Sequence, residues 1–285
     1  MVLSEAFQSY ADDVIAFRNQ SSRTEAAHFT TLKLLLVFFG DVDIESLSFQ
    51  MVRMWKVELE KKRCAGTVRM YIIRLRVVLA YCKAQGVPCL SADQVPVPKR
   101  ADRVPEFITK EQVAEFIQAV QPRNSKVNRL RNAAIVALLY SSGIRVSELC
   151  NLNKADIRDD HTFTIIGKGG YARLCFVDER AYDLIRAYLS VRTDELAALF
   201  LCTKEQARIN AGAVQEIFRN GSKVVGYYVH PHTLRHSFAT DLLRNNANLY
   251  YVSKLLGHRQ LDTTATYLHV ANFDLEKVYK EHHTI

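Results

Sequence analysis

Four of the chain's six prolines fall between residues 88 and 105, and this cluster constrains the fold more than any other feature. Proline lacks a backbone donor and pushes the residue before it into extended geometry, so neither a helix nor a central strand runs through the stretch. Within it, PVPKRADRVP, residues 96–105, has no helical or alternating period and reads as a linker. The 285 residues are thereby divided into 1–95 and 106–285, each of ordinary domain size.

The first part reads as a small all-helical domain. In TVRMYIIRLRVVLAYCKAQGVP, residues 67–88, Val68, Ile72, Leu75, Leu79 and Cys82 recur at three- and four-residue steps and make one apolar face. Thr67 is placed to cap the start, Gly86 to follow the end, and Pro88 to stop the chain. Arg69, Arg76 and Lys83 recur every seven residues, a basic stripe that either tracks a DNA groove or is a solvated face. Similar amphipathic runs near 4–18, 25–39 and 47–61 bring the count to about four helices.

Beyond the linker, ITKEQVAEFIQAV opens with a capping box between Thr109 and Gln112. LRNAAIVALLYSSGIRVSELCNL, residues 130–152, predicts a buried helix, a turn at Ser141–Gly143 and a second helix. Residues 162–166 favour strand, Gly167–Gly170 make a turn, and strand resumes over Leu174–Val177, a hairpin with a lysine in its turn. Helices are expected to dominate from 178 onward. The fold class is therefore mainly α, with a small β-hairpin in the second domain.

An apolar content of 48% is enough for a real core. The 38 Lys+Arg against 30 Asp+Glu leave a net charge of +8, which favours a polyanionic partner, nucleic acid or an anionic membrane surface. The longest apolar run near the N-terminus, LLLVFF at 34–39, is too short to span a bilayer, and the first residues lack the pattern of a secretory signal. The six cysteines form no CxxC pair, so no structural zinc is expected, and free thiols suit a reducing compartment. A cytoplasmic protein without membrane contact follows as the expectation.

Four stretches hold reactive side chains where a packed core would not want them. In SSGIRVSEL, Arg145 follows a glycine turn, with Glu148 one helical turn on; an ion pair at i, i+3 is the plain alternative to a functional role. In GKGG, Lys168 projects from the hairpin turn. In HPHTLRHSFAT, His232, Arg235 and His236 fall within one helical turn, and cations so close repel unless an anion lies between them. An arginine in the cluster argues against a metal there. In LGHRQLDTTATYLHV, His258 follows a helix-ending Gly257 and Tyr267 follows a threonine-rich segment. Together these give arginines, a lysine, histidines and a tyrosine with few acids. Guanidinium forks bind phosphate oxygens bidentately, and a cationic pocket with a neighbouring base activates a phenol whose free pKa is about 10. The chemistry indicated is attack on a phosphodiester by tyrosine, with no cofactor and no metal.

GIRVSEL, GKGG in a hairpin, HTLRHSFAT, LGH and a terminal tyrosine, in that order, resemble the tyrosine recombinases of the phage integrase family over residues 105–270. The resemblance implies a helical core-binding domain at 1–95 and a mixed α+β catalytic domain at 106–285, clamping DNA from opposite sides. It implies that Arg145 and Arg235 hold the scissile phosphate and that Lys168 protonates the leaving 5′-oxygen. His232 would assist proton transfer, His258 would bond a phosphate oxygen, and Tyr267 would form a 3′-phosphotyrosyl link. Glu148 and His236 would support the site. Lys99, Arg100 and Arg103 of the linker, with the stripe Arg69, Arg76 and Lys83, are candidate DNA contacts. Four protomers would exchange strands on two sites through a Holliday junction. A tail helix, Phe273–His283, with Phe273, Leu275, Val278 and Tyr279 on one side, would dock on a neighbour or on its own domain. A second recombinase or accessory proteins are further expected partners.

One departure stands in the hairpin: Tyr171 occupies the place where relatives carry a second lysine, while Arg173 is retained. The short two-domain length resembles Xer-type resolvases and simpler mobile-element integrases. Rival readings are a type IB topoisomerase, a catalytically silent DNA-binding protein of the same fold, and a metal-dependent nuclease, for which the carboxylate clusters are missing.

Overall fold

The computed structural model describes residues 1–18, 22–99, 106–122, 125–167, 170, 172–202, 207–257 and 264. Its chain divides into two compact units, Met1–Arg103 and Val104–Ile285.

The first unit holds helices α1 (Leu3–Tyr10), α2 (Ser22–Phe39), α3 (Phe49–Glu60) and α4 (Ala65–Ala84). Phe7, Leu35, Trp55, Ile72, Leu75 and Leu79 are fully buried at its centre. The run read at 4–18 is not one α-helix: after Tyr10 it widens into a π-helical segment, Ala11–Ala16, which keeps Ala11 and Ile15 in the core. Helix α4 starts earlier than its expected cap at Thr67. Cys64 takes the cap position, and its Sγ shares a hydrogen bond with Thr67 Oγ1 at 3.2 Å. Gly86, with φ +76°, follows the end as expected.

The heptad-spaced basic stripe of α4 has partners inside its own unit. Lys83 Nζ donates to Ser91 Oγ at 3.1 Å, Arg76 Nη1 donates to the Val95 carbonyl, and Arg69 Nε donates to the Pro98 carbonyl at 3.0 Å. As the stripe descends from 83 to 69 its partners rise from 91 to 98, so the proline-rich segment runs antiparallel along α4. A proline-broken chain has few ladder donors of its own, and the guanidiniums satisfy the carbonyls that this leaves open.

The second unit contains α5 (Lys110–Ala119), α6 (Lys126–Ser142), α7 (Val146–Asn151), β1 (Thr162–Ile166), β2 (Ala172–Phe176), α8 (Glu179–Leu189), β3 (Leu201–Cys202), β4 (Ala207–Arg208), α9 (Ala211–Val225), α10 (Pro231–Arg244) and α11 (Leu249–Leu256). The expected capping box forms: Thr109 Oγ1 accepts from Gln112 N at 3.3 Å and Gln112 Oε1 accepts from Thr109 N at 2.9 Å. Helix α6 is the axis of the core. Every residue from Ala133 to Leu139 is buried, with α8 and α10 packed on it. A helix apolar all round is one enclosed all round.

Strands β1 and β2 pair antiparallel with Ile165 opposite Arg173, and β2 begins at Ala172, two residues before its expected start. The stretch after 178 is not wholly helical: β3 and β4 form a second antiparallel pair. Arg131 Nη1 holds it by donating to the Leu201 carbonyl at 2.9 Å. Among the described residues no helix is long and apolar enough to cross a membrane.

Candidate active site

Four helix ends and one strand build the site. Helix α6 stops at Gly143, whose φ of +62° is left-handed. A Cβ at this position would lie 2.4 Å from Phe238 Cδ1 on α10, so only glycine fits both the turn and the contact. The tight stop places Arg145 at the head of α7.

There Arg145 and Glu148 form the backbone half of a cap and an ion pair together. Arg145 N donates to Glu148 Oε2 at 2.7 Å, and Arg145 Nη1 donates to Oε1 at 3.0 Å. Arg173 on β2 completes the set, donating from Nη1 to Oε1 at 3.0 Å and from Nη2 to Oε2 at 2.6 Å. Four donors thus meet the two oxygens of one carboxylate, close to its acceptor capacity. Burial alone would raise the Glu148 pKa, but the bonds from Arg173 and from the Arg145 amide, with both guanidinium charges, hold it below the usual range. Glu148 is therefore ionised, between two arginines. The Arg173 and Glu148 side chains are each 10% exposed, against 37% for Arg145. Arg145 is the member of the trio that faces solvent.

Arg235 lies one turn into α10 and is only 3% exposed. Its Nη1 donates to the Gly143 carbonyl and its Nη2 to the Leu256 carbonyl, each at 2.6 Å. Those carbonyls end α6 and α11, where the helix dipoles are negative and backbone acceptors lack helical partners. A buried cation is stabilised there by neutral backbone oxygens, and these two bonds leave its charge uncancelled.

The histidines lie along the start of α10. His230 is the N-cap: its Nδ1 accepts from His232 N at 3.0 Å and Thr233 N at 3.2 Å, a task that needs an unprotonated Nδ1. The protein around the His232 ring, then the charges of His230, Arg235 and Arg145, lower its pKa. Burial, followed by His232, His230 and Arg235, lowers that of His236 to about 4. Both rings are therefore held neutral near neutral pH.

The structure brings Arg145, Glu148, His232, Arg235 and His236 into one neighbourhood. Lys168, His258, Tyr267, Arg100, Arg103 and the tail Phe273–His283 lie outside the described residues. Gly257, which precedes His258, has φ +65°, and a Cβ there would lie 3.1 Å from Arg173 Cδ. Arg69, Arg76, Lys83 and Lys99 belong to the first unit, where Lys99, Arg69 and Arg74 line a cleft of about 530 Å³. Sequence reasoning missed three residues. Arg173 was noted without a task, Arg74 was not singled out, and His230 stands outside the residue types that usually cap helices. Among the described residues no group of three or more His, Cys, Asp or Glu side chains converges as a metal site.

A strand-borne arginine, a helix-head arginine and a buried helical arginine beside the α10 histidines make a cationic cluster of the kind that binds phosphate oxygens. Residues 106–273 match the model of the phage integrase family. The tyrosine recombinase XerC of Corynebacterium glutamicum is 32% identical over 250 residues, covering 85% of this chain and 80% of that protein. The chain belongs to the phage integrase family and is a tyrosine recombinase by descent. Among solved structures, the Tn1549 transposon integrase (residues 82–397) in complex with circular intermediate DNA superposes with a TM-score of 0.77 at 17% identity, covering 99% of both chains. A lambda integrase tetramer bound to a Holliday junction gives 0.74 at 15% identity, covering 91% of this chain and 78% of that one. These two share the fold.

Proposed function

We infer that this chain cuts and rejoins double-stranded DNA at specific sites, with Tyr267 as the nucleophile. The Tyr267 oxygen attacks the scissile phosphorus as its proton passes to neutral His232. The bond from phosphorus to the 5′-oxygen breaks, and Lys168 gives that oxygen a proton. The products are a 3′-phosphotyrosyl link and a free 5′-hydroxyl. Arg145, Arg235 and His258 take the charge of the pentacoordinate phosphorane between them. The link conserves the energy of the phosphodiester, so a partner strand's 5′-hydroxyl reseals it by the reverse step and no ATP is required.

One observation carries this reading most: Arg235 is buried yet braced on the Gly143 and Leu256 carbonyls, a guanidinium fixed in place before any ligand arrives. Preorganised donors need no reorganisation at the moment of reaction. The lowered pKa of His232 supports its place as proton acceptor, since only the neutral ring accepts. Arg74 and Lys99 of the first unit, with Arg100 and Arg103 after them, are proposed to contact the duplex backbone. The assembly is proposed to be a tetramer on two sites passing through a Holliday junction, with residues 273–283 docking on a neighbour, and the compartment the cytoplasm. Chromosome dimer resolution and mobile-element recombination both fit this chemistry.

The test uses nicked duplexes tiled across the DNA flanking the protein's own gene. A nick beside the cut releases a short 5′-hydroxyl fragment and traps the adduct. A slow protein–DNA band on a denaturing gel, absent for Tyr267→Phe although that variant still shifts the same duplex, is the expected result. A band that persists in Tyr267→Phe would overturn the assignment of the nucleophile.

A further inference from the structure

We propose that Arg173 is a positioning residue that keeps Arg145 available to the scissile phosphate by neutralising Glu148; the proposal rests on the recombinase reading above. The argument begins with charge. Arg145, Arg173 and Glu148 sum to one net positive charge. Without Arg173 the pair Arg145–Glu148 sums to zero, and a phosphate approaching Arg145 meets a guanidinium already matched by a carboxylate.

Geometry leads to the same conclusion. Both Glu148 oxygens are occupied by the Arg173 fork, at 3.0 and 2.6 Å, which leaves Arg145 a single side-chain bond to Oε1. A buried carboxylate freed of Arg173 would draw the Arg145 fork inward to replace it, because an ionised group at 10% exposure seeks a bidentate partner. Arg145 would then turn its donors from solvent toward Glu148.

Arg173 also ties together segments that are far apart in sequence. Its Nε donates to the Leu255 carbonyl at 3.2 Å, and its side chain lies against the Gly257 backbone. One side chain on β2 thus fixes the hairpin that carries Lys168, the head of α7 that carries Arg145, and the last turn of α11 before His258. A lysine at 173 would keep the charge but not the planar fork, so it could not hold two carboxylate oxygens and a carbonyl together.

The test is the rate of covalent adduct formation on the nicked duplex that the wild-type chain cleaves, at saturating DNA. Arg173→Gln is expected to lose about 100-fold in this rate, the scale of losing one preorganised charge-stabilising donor, with little change in DNA affinity. Adding Glu148→Gln to Arg173→Gln is expected to restore at least tenfold, since it removes the carboxylate that captures Arg145. A structural role alone would make that double variant as poor as the single one, or poorer. Arg173→Lys, which keeps the charge, is expected between wild type and Arg173→Gln, and it carries the test together with Arg173→Lys/Glu148→Gln if Arg173→Gln does not fold. Full-rate cleavage by Arg173→Gln, or no recovery on adding Glu148→Gln, overturns this proposal alone. Absence of any adduct with the wild-type chain overturns the recombinase reading and this proposal with it.

Discussion

In the first unit Arg69 and Arg76 aim their donors at the carbonyls of Pro98 and Val95, and the result is that a proline-rich segment is fastened to α4. In the second unit Arg235 also binds two backbone carbonyls, yet those carbonyls end two helices, and the result is a rigid buried cation beside the histidines of α10. Arg145 and Arg173 differ again, sharing one ionised carboxylate so that one of them stays directed at solvent. The same side chain thus works as a clasp, an anchored charge and a counter-charge. What separates these uses is the partner each fork meets, and how much of the positive charge that partner leaves uncancelled.

The largest effect expected from this contrast falls on Arg235. Arg235→Lys loses the fork that spans Gly143 and Leu256, and adduct formation should drop by about 10²–10³-fold with DNA affinity largely kept. Single-turnover cleavage on a nicked duplex measures it; a lysine variant cutting at near wild-type rate would break the distinction between an anchored fork and a mere charge. Next comes Gly143→Ala. The added carbon overlaps Phe238 and sits at positive φ, so the second unit should lose about 2–4 kcal/mol, visible in urea melts and partly relieved by Phe238→Leu.

A smaller effect is expected in the first unit. Arg69→Met and Arg76→Met should each cost about 1 kcal/mol of its stability, the worth of an ordinary hydrogen bond. The salt dependence of DNA binding should be unchanged. A fall of about one in the slope of log K against log salt per residue would instead make the stripe a set of phosphate contacts.

A further effect is on pH. His236 has a folded pKa of about 4 against an ordinary 6.5, with burial the leading cause. Above 6.5 both states carry a neutral ring and the shift contributes nothing. As pH falls from 6.5 toward 4, the unfolded chain binds the proton and the folded one resists it, so stability is lost across that window. The wild-type melting temperature should fall more steeply between pH 7 and 4.5 than that of His236→Gln; equal slopes would remove His236 from the account.

Elements whose ends carry local chemistry were legible in the sequence. The Thr109–Gln112 box and the α6–Gly143–α7 break stand where their residues placed them, and the β1–β2 hairpin forms with β2 starting two residues early. The two-residue strands β3 and β4 were not legible, because so short a pair has no alternation to read. Nor was the start of α4, since cysteine, which takes its cap position at Cys64, is not among the residue types that usually cap helices. In the site, Arg145, Glu148, His232, Arg235 and His236 were read from compact motifs. The task of Arg173 was hidden because it depends on the register of β2 against α7, 25 residues away in sequence from Glu148. The heptad stripe shows the converse: its spacing was plain, but spacing does not say whether a groove or the chain's own carbonyls lie opposite.

The most direct test of the central claim, that this cation cluster serves a tyrosine attacking DNA, is to find where the DNA is attached. Adduct trapped on a nicked duplex would be digested with nuclease and protease, and the modified peptide sequenced by mass spectrometry. The account predicts a nucleotide joined through its 3′-phosphate to Tyr267. Attachment at any other residue, or through a 5′-phosphate, would contradict it.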